Sequence, residues 1–177
     1  KDLPFPQNMS EGKAEEVLGR IAQVLAVKEV RKVIGNLEVV SLRDLPALDR
    51  QILVEKHLIS PAHAENVELG RGLAVRDDEV VSIMINEEDH LRIQCLYSGL
   101  QVYEAWEMAN TVDDAIETQM DYAFDEKWGY LTACPTNVGT GMRASVMLHL
   151  PGLVITNQAQ RALSALPQIG LVVRGLY

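Results

Sequence analysis

Apolar positions recur along this chain with two different periods, and each period predicts its own kind of element. Between Val17 and Leu25 they return every three or four residues, which predicts a helix that Ser10 can cap. The same spacing predicts a longer helix over residues 100–120. Its apolar stripe has five members: Val102, Trp106, Ala109, Val112 and Ile116.

Shorter apolar runs, some of them alternating, predict strands. These lie at 37–42, on either side of an Asp77–Asp78 turn, at 91–97, around a turn at 127–129, at 143–150 and at 171–174. Two further helices are predicted at 45–54 and 158–166. Strands joined by hairpins, with helices between them, favour an α+β fold in which helices flank an antiparallel β-sheet, rather than a doubly wound parallel sheet.

Composition narrows the class of protein. The chain has 177 residues, 47% of them hydrophobic, which is enough for one domain with a core. A net charge of −9 argues against direct nucleic-acid binding as the main role. Two cysteines are too few for a disulfide framework and indicate a cytoplasmic location. No apolar run reaches the roughly 18 residues of a membrane span.

An acidic motif, NEEDHLR, follows the apolar run VVSIMI. In extended chain, Glu88, His90 and Arg92 share one face and Glu87 and Asp89 the other. Such carboxylates can bind a guanidinium, act as a base or hold the waters of a metal ion. His90 acting alone as a general base is a weaker hypothesis. The alternative is a solvated loop between two strands.

A second motif, CPTNVGTGMRAS, combines glycines with an arginine. Gly139 and Gly141 allow tight turns whose N–H groups can form an anion-binding nest, and Arg143 would add a forked donor for phosphate. Cys134 is either a reactive thiol or a small buried residue. The alternative for the whole motif is a glycine-rich turn, and no Walker loop or zinc-ligand spacing occurs in the chain.

Together, NEEDHLR, GYLTACPTNVGTGMRASVMLHLP and the closing GLVVRG strongly resemble the ATP:guanido phosphotransferases, the phosphagen kinase family. The resemblance runs from about Gly70 to the last residue, and KDLPFPQNMSEGKAEEVL upstream resembles the family's bacterial branch. It implies the glutamine-synthetase-like fold of that family. Residues 1–177 would be part of a single catalytic domain, with 1–69 as a helical N-terminal portion and 70–177 as the sheet and active-site core.

The resemblance implies a role for each matching residue. Glu88 matches the carboxylate that binds the guanidinium and accepts its proton, and Cys134 matches the active-site cysteine beside it. Glu87 and Asp89 match acids near Mg²⁺ and its waters, the ion itself being held through the nucleotide. The residues matched to binding of ATP and its phosphates are Arg92, Arg143, Arg174, Asn137, Gly139, Thr140 and Gly141.

The bacterial branch that this chain resembles transfers the γ-phosphoryl group of ATP, with Mg²⁺, to arginine side chains of proteins. That activity marks proteins for degradation and regulates the stress response. Metabolite kinases of the family carry adenine-contacting histidines at the positions of Val75 and Met147, and the apolar residues here favour the protein-kinase branch. The alternatives are a kinase for a free guanidino metabolite and a catalytically silent nucleotide-binding or scaffold domain.

The same resemblance implies partners: protein substrates with exposed arginines, a zinc-containing activator protein, the ClpC–ClpP protease and a heat-shock repressor. It also leads us to expect an arginine-rich segment before Lys1, an acidic loop after Tyr177, and a further C-terminal domain that forms a homodimer in the full-length protein. We therefore expect a catalytic-domain fragment truncated at both ends, with little or no kinase activity on its own.

Overall fold

The computed structural model describes residues 3–67 and 70–174. The chain forms two compact units, residues 1–144 and 145–177. Residues 1–2, 68–69 and 175–177, which include the last glycine of the GLVVRG motif, lie outside the described residues. The boundary between the two units falls after Ala144. A single catalytic domain, with 1–69 and 70–177 as its two portions, stays a prediction.

A four-stranded antiparallel sheet forms the centre of the first unit, in the order β1-β2-β3-β4. One row of paired residues crosses it from Val39 through Ala74 and Ile83 to Ile93. Short apolar and β-branched runs suit such a ladder. The predicted α+β fold with an antiparallel sheet is confirmed. The strands are β1 Leu37–Ser41, β2 Gly72–Arg76, β3 Val81–Ile85 and β4 Leu91–Cys95.

Strand β3 is buried along its whole length because the sheet is covered on both faces. Successive side chains of a strand point to opposite faces. Ile83 and Ile85 join a core formed with α1 (Glu11–Ala26), α2 (Lys28–Ile34) and α5 (Val102–Glu117). Met84 joins a second core, with Leu42, Ile59 and Leu73. Burial on both sides explains why the sequence here is continuously apolar.

Helix α1 follows the predicted helical period. Its buried positions, Ala14, Val17, Ile21 and Leu25, lie three or four residues apart. Ser10 occupies the N-cap position, but its side chain makes no capping hydrogen bond. The predicted N-cap position is therefore confirmed, although the hydroxyl itself makes no cap. The Ser10 carbonyl accepts the first helical hydrogen bond, from Ala14 N at 3.0 Å.

Helix α5 confirms the predicted helix but corrects its apolar stripe. Val112 and Ile116 are fully buried, whereas Val102 and Trp106, about two to four turns earlier, are exposed. Only the C-terminal half of this helix reaches the core between α1 and the sheet. Helices α1 and α5 have 16 residues each, and within the described ranges no helix combines the length and apolar character needed to cross a bilayer.

Two short helices and a hairpin complete the first unit. Helix α3 (Ala47–Glu55) begins after Pro46, close to the prediction, and α4 (Pro61–Glu65) was not predicted. Strands β5 (Phe124–Asp125) and β6 (Gly129–Tyr130) form the predicted hairpin.

The second unit contains α6 (Pro151–Ile155), α7 (Ala159–Leu163) and a 3₁₀ turn at Leu166–Ile169. Helix α7 is shorter than the predicted helix over 158–166. Strands predicted at 143–150 and 171–174 are wrong, since both segments are irregular. Alternating side chains make a strand only when the backbone pairs with a neighbour, and neither segment has a paired strand in the part of the chain described.

Candidate active site

The acidic turn, residues 86–90, reverses the chain between β3 and β4. Asn86 adopts φ +59°, and its N–H donates to the carbonyl of His90 at 3.1 Å. Asparagine is among the non-glycine residues that tolerate positive φ best. The predicted alternation of faces along this motif is wrong, because these residues form a tight reversal rather than extended chain.

Asn86 fixes the base of the acidic turn to the core. Its side chain is buried, and Nδ2 donates to the carbonyls of Ala14 at 2.8 Å and Gly70 at 3.1 Å. Gly70 lies so close to α1 that a Cβ there would be 2.8 Å from the backbone nitrogen of Glu15. Sequence reasoning missed Asn86, whose one signal is an asparagine directly after a buried strand.

Glu87 points inward from the acidic turn. Its side chain is 11% exposed, and it accepts hydrogen bonds from Ser60 Oγ at 2.6 Å and from Arg92 Nη1 at 3.2 Å. Burial opposes ionisation, but the hydrogen bond from Ser60 and the charge of Arg92 outweigh it and lower the pKa of Glu87. Glu87 and Arg92, predicted on opposite faces, are therefore an ion pair.

Asp89 joins the acidic turn to the CPTN loop, residues 134–143. Its Oδ1 accepts a hydrogen bond of 2.6 Å from the backbone N–H of Ala133, 44 positions further along the chain. Ala133 directly precedes Cys134. The structure therefore brings the two sequence motifs together in space.

Glu88, at the tip of the acidic turn, is exposed. Gln7 Nε2 donates to its backbone carbonyl at 3.1 Å, which holds the main chain in place. In the described ranges the Glu88 carboxylate itself has no hydrogen-bond or ion-pair partner. A positioned main chain with an open carboxylate suits a group that binds a cationic ligand.

His90 has a structural contact rather than a free ring. Its Nε2 lies 2.9 Å from the carbonyl of Pro4, and the ring stacks on Phe5 with centroids 6.4 Å apart. Burial lowers its pKa despite the Pro4 contact. These contacts favour a role in holding the N-terminal segment over a role as general base.

Cys134 begins the CPTN loop as a free, half-buried thiol. Its Sγ lies 2.9 Å from Thr136 Oγ1, and Thr132 donates to its carbonyl at 2.8 Å. A 3₁₀ turn at Pro135–Asn137 follows directly. The thiol is thus held beside the segment that Asp89 binds.

The glycines of the CPTN loop have uses that differ from one another. Gly139 and Tyr130 exchange two backbone hydrogen bonds, of 2.8 and 3.2 Å. A Cβ on Gly129 would lie 2.5 Å from the Gly139 carbonyl oxygen, so this crossing needs glycine. Because the Gly139 N–H is already donated to Tyr130, it cannot serve the predicted anion nest as it stands. Gly141, at φ +62°, keeps that prediction.

The predicted phosphate-binding arginines have different surroundings. Arg143 is exposed, and its Nη2 donates to Asn137 Oδ1 at 3.1 Å, within the CPTN loop. Arg92 keeps 44% of its side chain exposed beside Glu87. Arg174 lies in the second unit, where it is exposed. A cleft shared by all three arginines stays a prediction.

The residues predicted near Mg²⁺ do not form a metal-ligand cluster. In the described residues, no three His, Cys, Asp or Glu side chains converge in that way. Both Glu87 oxygens and Asp89 Oδ1 already accept hydrogen bonds from protein groups. Mg²⁺ commonly retains waters and phosphate oxygens as ligands. An Mg²⁺ ion held through the nucleotide, with Glu87 and Asp89 near its waters, stays a prediction.

A cavity of about 240 Å³ lies beside the acidic turn. Pockets for drug-sized ligands occupy about 300–1,000 Å³, so this cavity is smaller than such a site. The cavity is lined by Pro6, Gln7, Asn66, Arg71, Asn86 and Glu87.

Val75 and Met147 are the two positions compared above with adenine-contacting histidines. Val75 packs on the second core, and Met147 is exposed in the second unit.

Comparison with known families identifies the class of protein that these motifs define. Residues 17–177 match the family described as ATP:guanido phosphotransferase, C-terminal catalytic domain. The chain belongs to this family.

Curated relatives narrow the similarity to one branch. The chain is 56% identical over 174 residues to a protein-arginine kinase of Desulforamulus reducens, covering 98% of this chain and 48% of that protein. It is 58% identical over 178 residues to a protein-arginine kinase of Symbiobacterium thermophilum, covering 99% and 50%. The chain thus spans about half the length of the curated relatives it matches.

Solved structures confirm the phosphagen kinase fold. The duplicated taurocyamine kinase from Schistosoma mansoni, with bound transition-state-analogue components, matches with a TM-score of 0.83 at 28% identity, over 98% of this chain and 25% of that one. A lombricine kinase matches with a TM-score of 0.72 at 26% identity, over 94% and 49%.

Proposed function

We propose that the protein containing this chain is a protein arginine kinase that transfers the γ-phosphoryl group of ATP to arginine side chains. Curated relatives more than half identical to the chain, each named protein-arginine kinase, support this activity. The single structural observation behind it is the Asp89–Ala133 hydrogen bond, which joins the acidic turn to the CPTN loop.

The acidic turn has the chemistry that the acceptor needs. A guanidinium is protonated at neutral pH and is a poor nucleophile in that form. Glu88, exposed and without a partner in the described residues, can pair with it, orient one nitrogen and take its proton as the N–P bond forms. The bond from the γ-phosphorus to the bridging oxygen breaks, and ADP leaves. Cys134 would contact the same guanidinium.

The arginines suit the donor. Phosphoryl transfer needs in-line placement and neutralisation of charge on the phosphate oxygens. Arg92 and Arg143 are exposed enough to donate paired N–H hydrogen bonds to those oxygens. We assign Arg174 the same role. Asn137, Gly139, Thr140 and Gly141 would lie along the nucleotide. Mg²⁺ bound to the phosphates, with waters near Glu87 and Asp89, would neutralise further charge.

A choice of acceptors tests the proposal. Full-length protein is mixed with Mg-ATP and either casein or free arginine, and phosphoarginine is detected by mass spectrometry under non-acidic handling. We expect phosphoarginine on casein. Product only on free arginine would instead support a metabolite kinase, a candidate favoured by the similarity to taurocyamine and lombricine kinases. Nucleotide binding without any product would support a silent domain.

The cellular role follows only from the family resemblance. We propose that the activity marks proteins for the ClpC–ClpP protease, acts on a heat-shock repressor and depends on a zinc-containing activator. Two free cysteines support a cytoplasmic location. Homodimerisation of the full-length protein and inactivity of the isolated chain stay predictions.

A further inference from the structure

Ser60 lies outside every motif discussed above, yet its side chain contacts the acidic turn. Its Oγ donates to Glu87 Oε1 at 2.6 Å and accepts from the backbone N–H of His63 at 3.1 Å, as the N-cap of α4. We propose that Ser60 is a positioning residue for ATP, holding Glu87 so that Arg92 stays turned toward the nucleotide phosphates. This inference rests on the proposed function, since it deepens the role of Arg92.

The Ser60 hydroxyl has one proton, and its partners determine where that proton is donated. A serine side chain offers one donor and two acceptor positions. Because the His63 N–H takes an acceptor position and a carboxylate can only accept, the Ser60 proton must go to Glu87. The contact is therefore a charge-assisted hydrogen bond, of the shorter and stronger kind.

Ser60 is itself held firmly by the core. The preceding Leu58 and Ile59 are buried, and the Ser60 N–H donates to Met84 Sδ of β3 at 3.4 Å. His63, fully buried on α4, contacts the carbonyl of Gly72 on β2 through Nε2 at 2.9 Å. The donor to Glu87 is thus fixed relative to the central sheet.

The ion pair beyond Glu87 is asymmetric. The Glu87 side chain is 11% exposed, while that of Arg92 is 44% exposed. Arg92 donates through Nη1 only, and its other guanidinium nitrogens have no partner in the described ranges. Nη1 of the Arg92 guanidinium is therefore bound to Glu87, and its other N–H groups are open to an anion.

Loss of the Ser60 hydroxyl would leave Glu87 Oε1 nearly buried without a donor, which is costly. Arg92 is the cation in contact with Glu87, and a guanidinium can bind both carboxylate oxygens at once. Arg92 would then turn inward and give up phosphate contacts. ATP binding should weaken while binding of the protein acceptor does not change.

Ser60→Gly separates this role from helix capping, since glycine is tolerated at an N-cap almost as well as serine. In the full-length protein we expect about a tenfold rise in the KM for ATP, from loss of one charge-assisted hydrogen bond, and an unchanged KM for casein. Ser60→Ala should show the same split. Ser60→Thr, which keeps the hydroxyl, should restore the wild-type KM for ATP.

Ser10→Gly is the matched control, because Ser10 is an exposed N-cap serine whose side chain makes no capping bond. It should leave both KM values unchanged. An unchanged KM for ATP in Ser60→Gly, or an equal rise in both KM values, would overturn the inference, as would failure of Ser60→Thr to restore binding.

Calorimetric titration with Mg-ATP separates this inference from the proposed function. If wild-type protein binds ATP but phosphorylates no arginine, the proposed function fails. The ratio of ATP dissociation constants between Ser60→Gly and wild type still decides the role of Ser60: about ten supports it, and one contradicts it.

Discussion

The two loops of the candidate site, both in the first unit, are held in different ways. Side chains of the acidic turn contact other parts of the fold: Asn86 binds α1, Glu87 binds Ser60, and Asp89 binds the backbone before Cys134. Side chains of the CPTN loop contact one another, as in the pairs Cys134–Thr136 and Arg143–Asn137. The acidic turn is braced, in that its side chains bind other elements of the fold, whereas the side chains of the CPTN loop bind within the loop itself.

Under the proposed function, this difference gives the acidic turn and the CPTN loop different roles in the reaction. Catalytic groups act best when packing and hydrogen bonds hold them before the substrate arrives. The braced acids would present Glu88 to the acceptor with little rearrangement. The exposed arginine side chain of the CPTN loop would instead become ordered on binding nucleotide phosphates. Four changes test this comparison, in decreasing order of expected effect.

Glu88→Gln should have the largest effect. The variant keeps the shape of the side chain but cannot accept the guanidinium proton, so phosphoarginine formation should fall by about a thousandfold while Mg-ATP still binds. Initial rates in the full-length protein measure this. Glu55→Gln, at an exposed acid on α3, is the matched control. Full activity of Glu88→Gln would place the acceptor carboxylate elsewhere.

Lowering the pH should reduce the free energy of unfolding through His63, which lies on α4 next to Ser60. Burial lowers the pKa of His63 from 6.5 to about 4. Between these values the unfolded chain binds a proton that the folded protein does not, so stability falls as the pH drops through this window, by about 3 kcal/mol. Urea unfolding from about pH 7 to about pH 4 measures the loss. His63→Gln should make the free energy of unfolding less dependent on pH over this range. An equal dependence on pH in the variant and the wild type would contradict this role of His63.

Asn86→Ala should destabilise the base of the acidic turn. It removes two hydrogen bonds and leaves alanine at φ +59°, for a loss of about 2 kcal/mol in the free energy of unfolding. Asn110→Ala, on the exposed surface of α5, should cost less than about 0.5 kcal/mol. Equal losses in urea unfolding would show that the turn is not anchored through Asn86.

Arg143→Lys should have the smallest effect of the four. Lysine keeps the charge but loses the fork, so the KM for ATP should rise by about tenfold, with no change in stability because Arg143 is exposed. Arg161→Lys on α7 is a control at another exposed arginine. A large loss of stability in Arg143→Lys would mean that the CPTN loop is braced after all.

The sequence predicted those features that depend on neighbouring residues. Helix α1 follows from the local helical period of its apolar residues, and strands β2 and β3 follow from short apolar runs on either side of a turn. The face assignment within the acidic motif failed because the positive φ of Asn86 turns the chain. Ser60 and Ala133 were missed because their contacts join positions 27 and 44 apart. No local pattern encodes such a contact, although family resemblance located the motifs themselves.

The most direct test of a shared site is a crystal structure of the full-length protein with ADP, Mg²⁺, nitrate and an arginine peptide. We expect the peptide guanidinium within hydrogen-bond distance of Glu88 and beside the Cys134 thiol. Arg92, Arg143 and Arg174 should contact the nucleotide phosphates and the nitrate. A guanidinium bound away from Glu88, or phosphates bound by none of these arginines, would contradict the account.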